Sequence, residues 1–143
     1  KLQKLLYFAQ GWCLAIQGRP LLDEPIEAWQ YGPVVATIYH KLKRYGGGPI
    51  PEVEPDLDDD HCWQVQKVPL EDIETRTLLE EVWKTYRRHS GVQLSAMTHQ
   101  PGSPWDVVRK LAEAKGIRKG ADIPNDLIEQ AFVRRALEGR ESA

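Results

Sequence analysis

Cysteine, strong net charge and long apolar runs are all scarce in this sequence, and each shortage closes off a class of function. Only Cys13 and Cys62 are present. Two cysteines do not make a disulfide scaffold, and Cys13 falls on the apolar side of a helical pattern, which reads as a buried free thiol in a reducing cytosol. Formal net charge is −2 with a pI near 6.1, against the basic excess of a general nucleic-acid binder. No apolar run is long enough to span a bilayer and no secretory leader is visible, so a membrane partner is not expected and the expected location is cytoplasmic. No internal repeat appears. Gly46-Gly47-Gly48 lacks the following Lys-Ser/Thr of a phosphate loop and follows a helical pattern instead of a strand, so no cofactor is expected there. An initiator Met is also lacking, and the chain begins inside a helical pattern, from which a missing N-terminal segment is expected.

What is present suits one domain: 143 residues, 41% hydrophobic and 28% charged, enough for a single core. Leu2, Leu5, Leu6, Ala9, Trp12, Cys13 and Ile16 recur at spacings of three and four, the buried stripe of an amphipathic helix that Gly18 and Pro20 end. Pro25 to Tyr31 alternates, with Ile26, Ala28 and Gln30 on one side and Glu27, Trp29 and Tyr31 on the other. This predicts a short strand, exposed or at the edge of a sheet. The strand is expected to stop at Gly32 and turn directly into a helix at Pro33, since proline fits the first helical turn. That helix would run to about Tyr45 with Val34, Val35, Ile38, Leu42 and Tyr45 inward.

Gly46 to Pro49 breaks regular structure, and the proline- and acid-rich stretch to Asp60 reads as a solvated loop. Trp63 to Val68 predicts a second strand pairing with the first. Beyond it the patterns are helical: Ile73 to about His89 with Leu78, Leu79, Val82 and Tyr86 inward, a short helix through Leu94, Met97 and Thr98 stopped by Pro101, and a helix opened by Ser103-Pro104-Trp105-Asp106. This last runs to about Ala114. Gly116 and Gly120 bracket a turn, and a final helix spans Pro124 to about Leu137 before a frayed tail from Gly139. The fold class is therefore α+β, mainly α: one domain over residues 1–138, with about six helices and a small two-stranded ribbon, and a tail over 139–143.

Candidate chemistry is sparse. Asp58, Asp59, Asp60, His61 and Cys62 are adjacent potential ligands, but no second pair at ligand spacing completes a zinc site, so a solvated acidic loop is favoured and no metal is expected. His99 lies four residues after Ser95 on one helical face. A nucleophilic triad would also need an orienting acid and an oxyanion hole, and neither is identifiable. The favoured reading is that His99 and Thr98 cap the helix end. His40, Lys41, Lys43 and Arg44 form a small basic face beside Tyr39 and Tyr45, where aromatics could stack bases. A solvated helix face is the commoner use. Trp29, Tyr31 and Trp105 are each readable as packing residues, and as a group near one corner they gain weight as interface anchors.

Lys1-Leu-Gln-Lys-Leu-Leu-Tyr7, Ile26-Glu-Ala-Trp-Gln-Tyr-Gly-Pro-Val-Val35 with Tyr39, Leu94-Ser-x-x-Thr-His99 and Pro104-Trp105 together resemble the Panacea domain of SocA-like antitoxins. The four motifs occur in the expected order and cover nearly the whole chain. Ile123-Pro-Asn-Asp-Leu-Ile128 departs from the Ile-Ser helix start of that family. The resemblance implies a mainly helical domain with a further N-terminal segment, in toxin–antitoxin systems of bacteria and prophages. It implies a non-enzymatic protein that binds a cognate toxin. In the founding type of the family the domain is an adaptor that delivers the toxin to a Clp-type protease. The partner-binding set expected from the corner and the motifs is Trp29, Tyr31, Gly32, Pro33, Tyr39, His99 and Trp105. Two other classes remain open on the residues: a nucleic-acid-binding regulator using Lys41, Lys43, Arg44, Arg87 and Arg88, or a small hydrolase using His99.

Overall fold

The computed structural model describes residues 1–52, 56–57, 63–64, 67–117 and 119–141. The acidic run Asp58–Asp60 with His61 and Cys62 lies outside the described residues. Among those described, six α-helices surround a small sheet: α1 (Leu2–Gln17), α2 (Ala36–Leu42, continued by a 3-10 turn at Lys43–Tyr45), α3 (Ile73–Tyr86), α4 (Gly91–Thr98), α5 (Pro104–Ala114) and α6 (Asn125–Glu141). The sheet is antiparallel with order β2-β1-β5, formed by β1 (Ile26–Trp29), β2 (Gly32–Val34) and β5 (Ala121–Ile123). A separate pair joins β3 (Asp56–Leu57) to β4 (Trp63–Gln64). The class is α+β and mainly α, as expected.

The first helix is the axis of the core. Tyr7, Phe8, Ala9, Cys13 and Leu14 are inside, so the buried face is turned from the expected stripe, of which Ala9 and Cys13 are buried and Ile16 is 67% exposed; the helix packs against α6, α3, β2 and α4. Phe8 stacks on Tyr86 of α3 at a centroid distance of 4.2 Å. Phe132 of α6 meets Tyr7, Phe8 and Trp12 edge-on, an arrangement the ring quadrupole favours. Cys13 is a buried free thiol, and burial pushes it up to about 11. Gly18 closes α1 in the left-handed conformation at φ 68°, with its N–H on the Leu14 carbonyl, as a C-terminal glycine should.

One fully buried polar side chain escapes any apolar pattern. Gln10 accepts from the backbone N–H groups of Leu21 and Leu22 at 2.8 and 2.9 Å, and donates to Asn125 Oδ1 at 3.2 Å. It ties the loop after α1 to the start of α6, satisfying its own amide as burial requires. The Ser103 cap read from sequence is present: Ser103 Oγ accepts from Asp106 N with Pro104 at the helix start. Ser90 and Gln93 form a reciprocal capping box that opens α4.

Several expectations are corrected. The strand does not turn into a helix at Gly32-Pro33; Gly32 and Pro33 belong to β2, which folds back on β1 with Trp29 opposite Gly32 and Ala28 opposite Pro33. Helix α2 begins at Ala36. Pro33 fits because β2 is an edge strand, where a missing N–H removes no ladder bond. Tyr31 consequently sits in the two-residue turn and not on a strand face. Finally, β1 pairs with β2 and β5, whereas Trp63 pairs with Leu57. Residues 121–123, for which no element is expected, supply the third strand of the sheet, and α6 continues to Glu141, past the expected end at Leu137.

Gly11 marks the closest approach of α1 and α6. A Cβ there would lie 2.3–2.5 Å from the Phe132 ring, which three aromatic neighbours hold in place. Helix propensity alone favours alanine over glycine by about 1 kcal/mol. Overpacking costs about 1–3 kcal/mol or more. Gly11→Ala is therefore expected to lower the melting temperature and the urea midpoint, and an unchanged or raised midpoint would mean that propensity outweighs the clash.

Candidate functional site

The β1–β2 hairpin is short, and its backbone is completed by side chains from three helices. Gln3 of α1 accepts from Val35 N at 2.9 Å and donates to Val35 O at 3.3 Å, so one amide pairs with the chain as a neighbouring strand would. Lys4, one residue on, donates from Nζ to Pro33 O at 3.2 Å. Ser95 of α4 donates to Tyr31 O at 3.2 Å, and the Trp105 indole of α5 donates to Trp29 O at 2.7 Å. Every one of these donors lies in a motif singled out from the sequence. The four motifs, far apart in the chain, converge on one hairpin.

Gly32 is where they press closest. Its φ of 114° is a conformation that side-chain-bearing residues rarely adopt, and a Cβ would lie 2.7 Å from Lys4 Nζ and 3.2 Å from Thr98 Oγ1. Thr98 is itself buried, donates to Ser95 O at 2.7 Å, and has its own carbonyl bonded by Ser103 Oγ at 2.8 Å. The end of α4 and the start of α5 are thereby locked together beneath the turn.

The seven expected site residues occupy one neighbourhood, but in different roles. Pro33 and Gly32 are buried, so they shape the hairpin and present no side chain. Trp29 is half-buried, edge-on to Tyr39 at 4.8 Å, and its ring lies over Gly120, where a Cβ would stand 2.3 Å from Cδ1. Trp105 and His99 are half-buried and meet edge-on at 4.0 Å. Tyr31 is 77% exposed at the turn and Tyr39 41% exposed beside it. Val92, 80% exposed in the first turn of α4, borders the same surface and was not anticipated, because a lone valine in a polar helix start carries no pattern.

His99 caps the end of α4. Its Nδ1 lies 2.5 Å from Ser95 O and 3.3 Å from Ser95 Oγ. A carbonyl only accepts, so Nδ1 must carry the proton and cannot take one from Ser95. The Ser95 hydroxyl donates to Tyr31 O instead. The pair does not form a nucleophile–base dyad in this arrangement. Among the described residues, no group of three or more His, Cys, Asp or Glu side chains is placed to hold a metal ion, and no helix is long and apolar enough to cross a membrane. On the basic face of α2 and its 3-10 extension, Arg44 bonds Tyr45 Oη at 2.9 Å and lies over its ring.

The family model described as "Antitoxin SocA-like, Panacea domain" matches residues 2–106. That span holds the clamping turn of α1, the hairpin, all of α4 and the first turn of α5 with Trp105. Antitoxin SocA of Caulobacter vibrioides (strain NA1000 / CB15N) is 37% identical over 107 residues, which cover 75% of this chain and 57% of that protein. The chain thus spans little more than half the length of that relative. No solved structure matches the chain.

Lys4 is the electrostatic oddity of the clamp. It is 8% exposed, and burial pushes its ammonium from the ordinary 10.5 down to about 8, since desolvation disfavours the charged form. Between these values the unfolded chain binds more protons than the folded one, so stability rises with pH through that window. Buried Tyr7 and Cys13 are raised and act in the opposite sense. The comparison must therefore be between the wild type and Lys4→Met. From pH 8 to 10.5 the wild type should gain stability relative to that variant, by at most on the order of 3 kcal/mol. Parallel pH profiles of the two melting temperatures would show that Lys4 is not desolvated.

Proposed function

Because the chain belongs to the SocA-like antitoxin family with its Panacea domain, we propose that it is an antitoxin that neutralises a cognate toxin by direct, non-enzymatic binding. The observation that carries this reading is the convergence of the four motifs on one hairpin, which leaves Tyr31 exposed at its tip. A hairpin pinned along its backbone loses little conformational entropy when a partner docks, so its exposed aromatics can be spent on affinity. Tyr31, Tyr39 and the exposed edge of Trp29 are the anchors, as tyrosine and tryptophan are in most binding hot spots. Gly32, Pro33, His99 and Trp105 hold them in position.

In the finer reading the protein works in the cytoplasm and hands the bound toxin to a Clp-type protease. The clamp accounts for toxin capture, and protease delivery would use a different surface. Measuring toxin lifetime with and without the antitoxin, in hosts with and without the protease, separates simple sequestration from delivery.

The direct test is co-expression with the products of adjacent genes. Growth rescue accompanied by a copurifying complex supports neutralisation, whereas rescue by no neighbour, with no complex formed, overturns it. Tyr31→Ala should weaken that complex by about tenfold or more with the melting temperature nearly unchanged, because the side chain is mostly in solvent. Trp29→Ala should lower both, because its ring packs on Tyr39 and Gly120. Equal losses of binding and melting temperature for Tyr31→Ala would return that residue to a structural role.

A further inference from the structure

A cavity of about 1040 Å³ lies elsewhere on the molecule, but the smaller one beside the hairpin, of about 620 Å³, carries the more specific chemistry. It is walled by Trp29, Tyr31, Tyr39, Val92 and Ser95, with Lys4 among its lining residues. Lys1 also lines it, and among the described residues no carboxylate and no arginine does. The Lys4 ammonium has three donor hydrogens, yet among the described residues its one hydrogen bond goes to Pro33 O, and no ion pair includes it. The first turn of α4, Gly91 and Val92, borders the same space and adds the positive end of a helix.

Resting on the reading of the protein as a toxin-binding antitoxin, we propose that this cavity receives the carboxylate of an aspartate or glutamate on the partner protein, with its flanking apolar residues against Trp29, Tyr31, Tyr39 and Val92. The charge balance selects the occupant. A buried ammonium with spare donors and no anion of its own is incomplete, and an incoming carboxylate supplies both the charge and the acceptors. Two lysines line the cavity and Lys1 Nζ is already bonded to Arg87 O, so the buried Lys4 ammonium, with no arginine fork among the described residues, matches a single carboxylate better than a phosphate group. The aromatic walls exclude water around the pair, which strengthens it. Gly32 has no side chain where one would push against the Lys4 amine, so the close approach of turn and ammonium is preserved.

The test uses terminally blocked Leu-Glu-Leu, Leu-Asp-Leu and Leu-Gln-Leu peptides, sodium acetate and inorganic phosphate, titrated into the whole chain with its lysines labelled for NMR. The acidic peptides should shift the Lys4 Cε signal and raise its titration midpoint, with the glutamine peptide binding at least tenfold more weakly. Equal binding of the glutamate and glutamine peptides, or no movement of Lys4 with any peptide, overturns the proposal. So does acetate or phosphate binding as tightly as the acidic peptides, which would mark a small-anion site. Lys4→Gln keeps a donor for Pro33 O and should remain folded; it should weaken the acidic peptides and the toxin complex at least tenfold. If toxin is neutralised with undiminished affinity by Lys4→Gln, this inference fails while the antitoxin reading stands. If the peptides bind as expected but no toxin is neutralised, the antitoxin reading fails and the carboxylate site alone remains.

Discussion

A hairpin with strands of four and three residues cannot hold itself together, and much of this fold is arranged to make up that deficit. Two-stranded ribbons are marginal in water, and the third strand, β5, covers only one side of β1. The exposed side of β2 would leave backbone groups unpaired beneath packed helices. Gln3 and Lys4 take those places at the edge, while Ser95 and Trp105 take the carbonyls at the turn. Each such bond contributes only about 1 kcal/mol net, but leaving its partner buried and unpaired costs about 1–3 kcal/mol. The clamp is therefore cooperative by necessity: α1, α4 and α5 must all be in place before the hairpin is satisfied.

This dependence explains what could and could not be read from the chain. The helices α1, α3 and α5 were legible because period and caps are local signals. The stripe through Ala9 and Cys13, the Ser103-Pro104 start and Gly18 all act within a few residues. The hairpin was misread because Gly-Pro is compatible with two local structures. What decides between them is Gln3 and Lys4, about thirty residues earlier in the chain, and no window along the sequence contains both. The third strand was lost for a related reason: Ala121 to Ile123 is too short to show alternation and takes its strand character from pairing with Ile26 to Ala28. Gln10 was invisible because its bonds run to loop backbone and to Asn125.

The candidate site shows the same division. That Trp29, Tyr31, Tyr39, His99 and Trp105 share a neighbourhood followed from their motifs, but their roles did not. Alternation placed Trp29 and Tyr31 on one face, and alternation stops being valid at a turn. Since Tyr31 is in the turn, it is exposed, while Trp29 remains on β1 and is half-covered. His99 was correctly read as a helix cap, because a histidine at the last turn beside a free carbonyl has a local partner. Lys4 lies inside a motif, but nothing local marks it for burial. On a helical wheel it is an ordinary surface lysine, and it is the folded-back turn at Gly32 and Pro33 that lies against it.

The hairpin's construction also bears on what kind of work it suits. Catalysis needs reactive groups converging on one atom, and the side chains here converge on backbone carbonyls and an amide that they satisfy. Ser95, the nearest hydroxyl to an imidazole, is committed to Tyr31 O, and that imidazole is committed to Ser95 O. What the arrangement leaves uncommitted is an exposed phenol at the tip, an aromatic ledge beside it and an ammonium with spare donors below. A fold that desolvates a lysine gives up stability to do so. In a chain that needed only a bond to Pro33 O, a neutral donor such as glutamine would serve that bond without the charge. The charge is the part of Lys4 that the fold itself does not use.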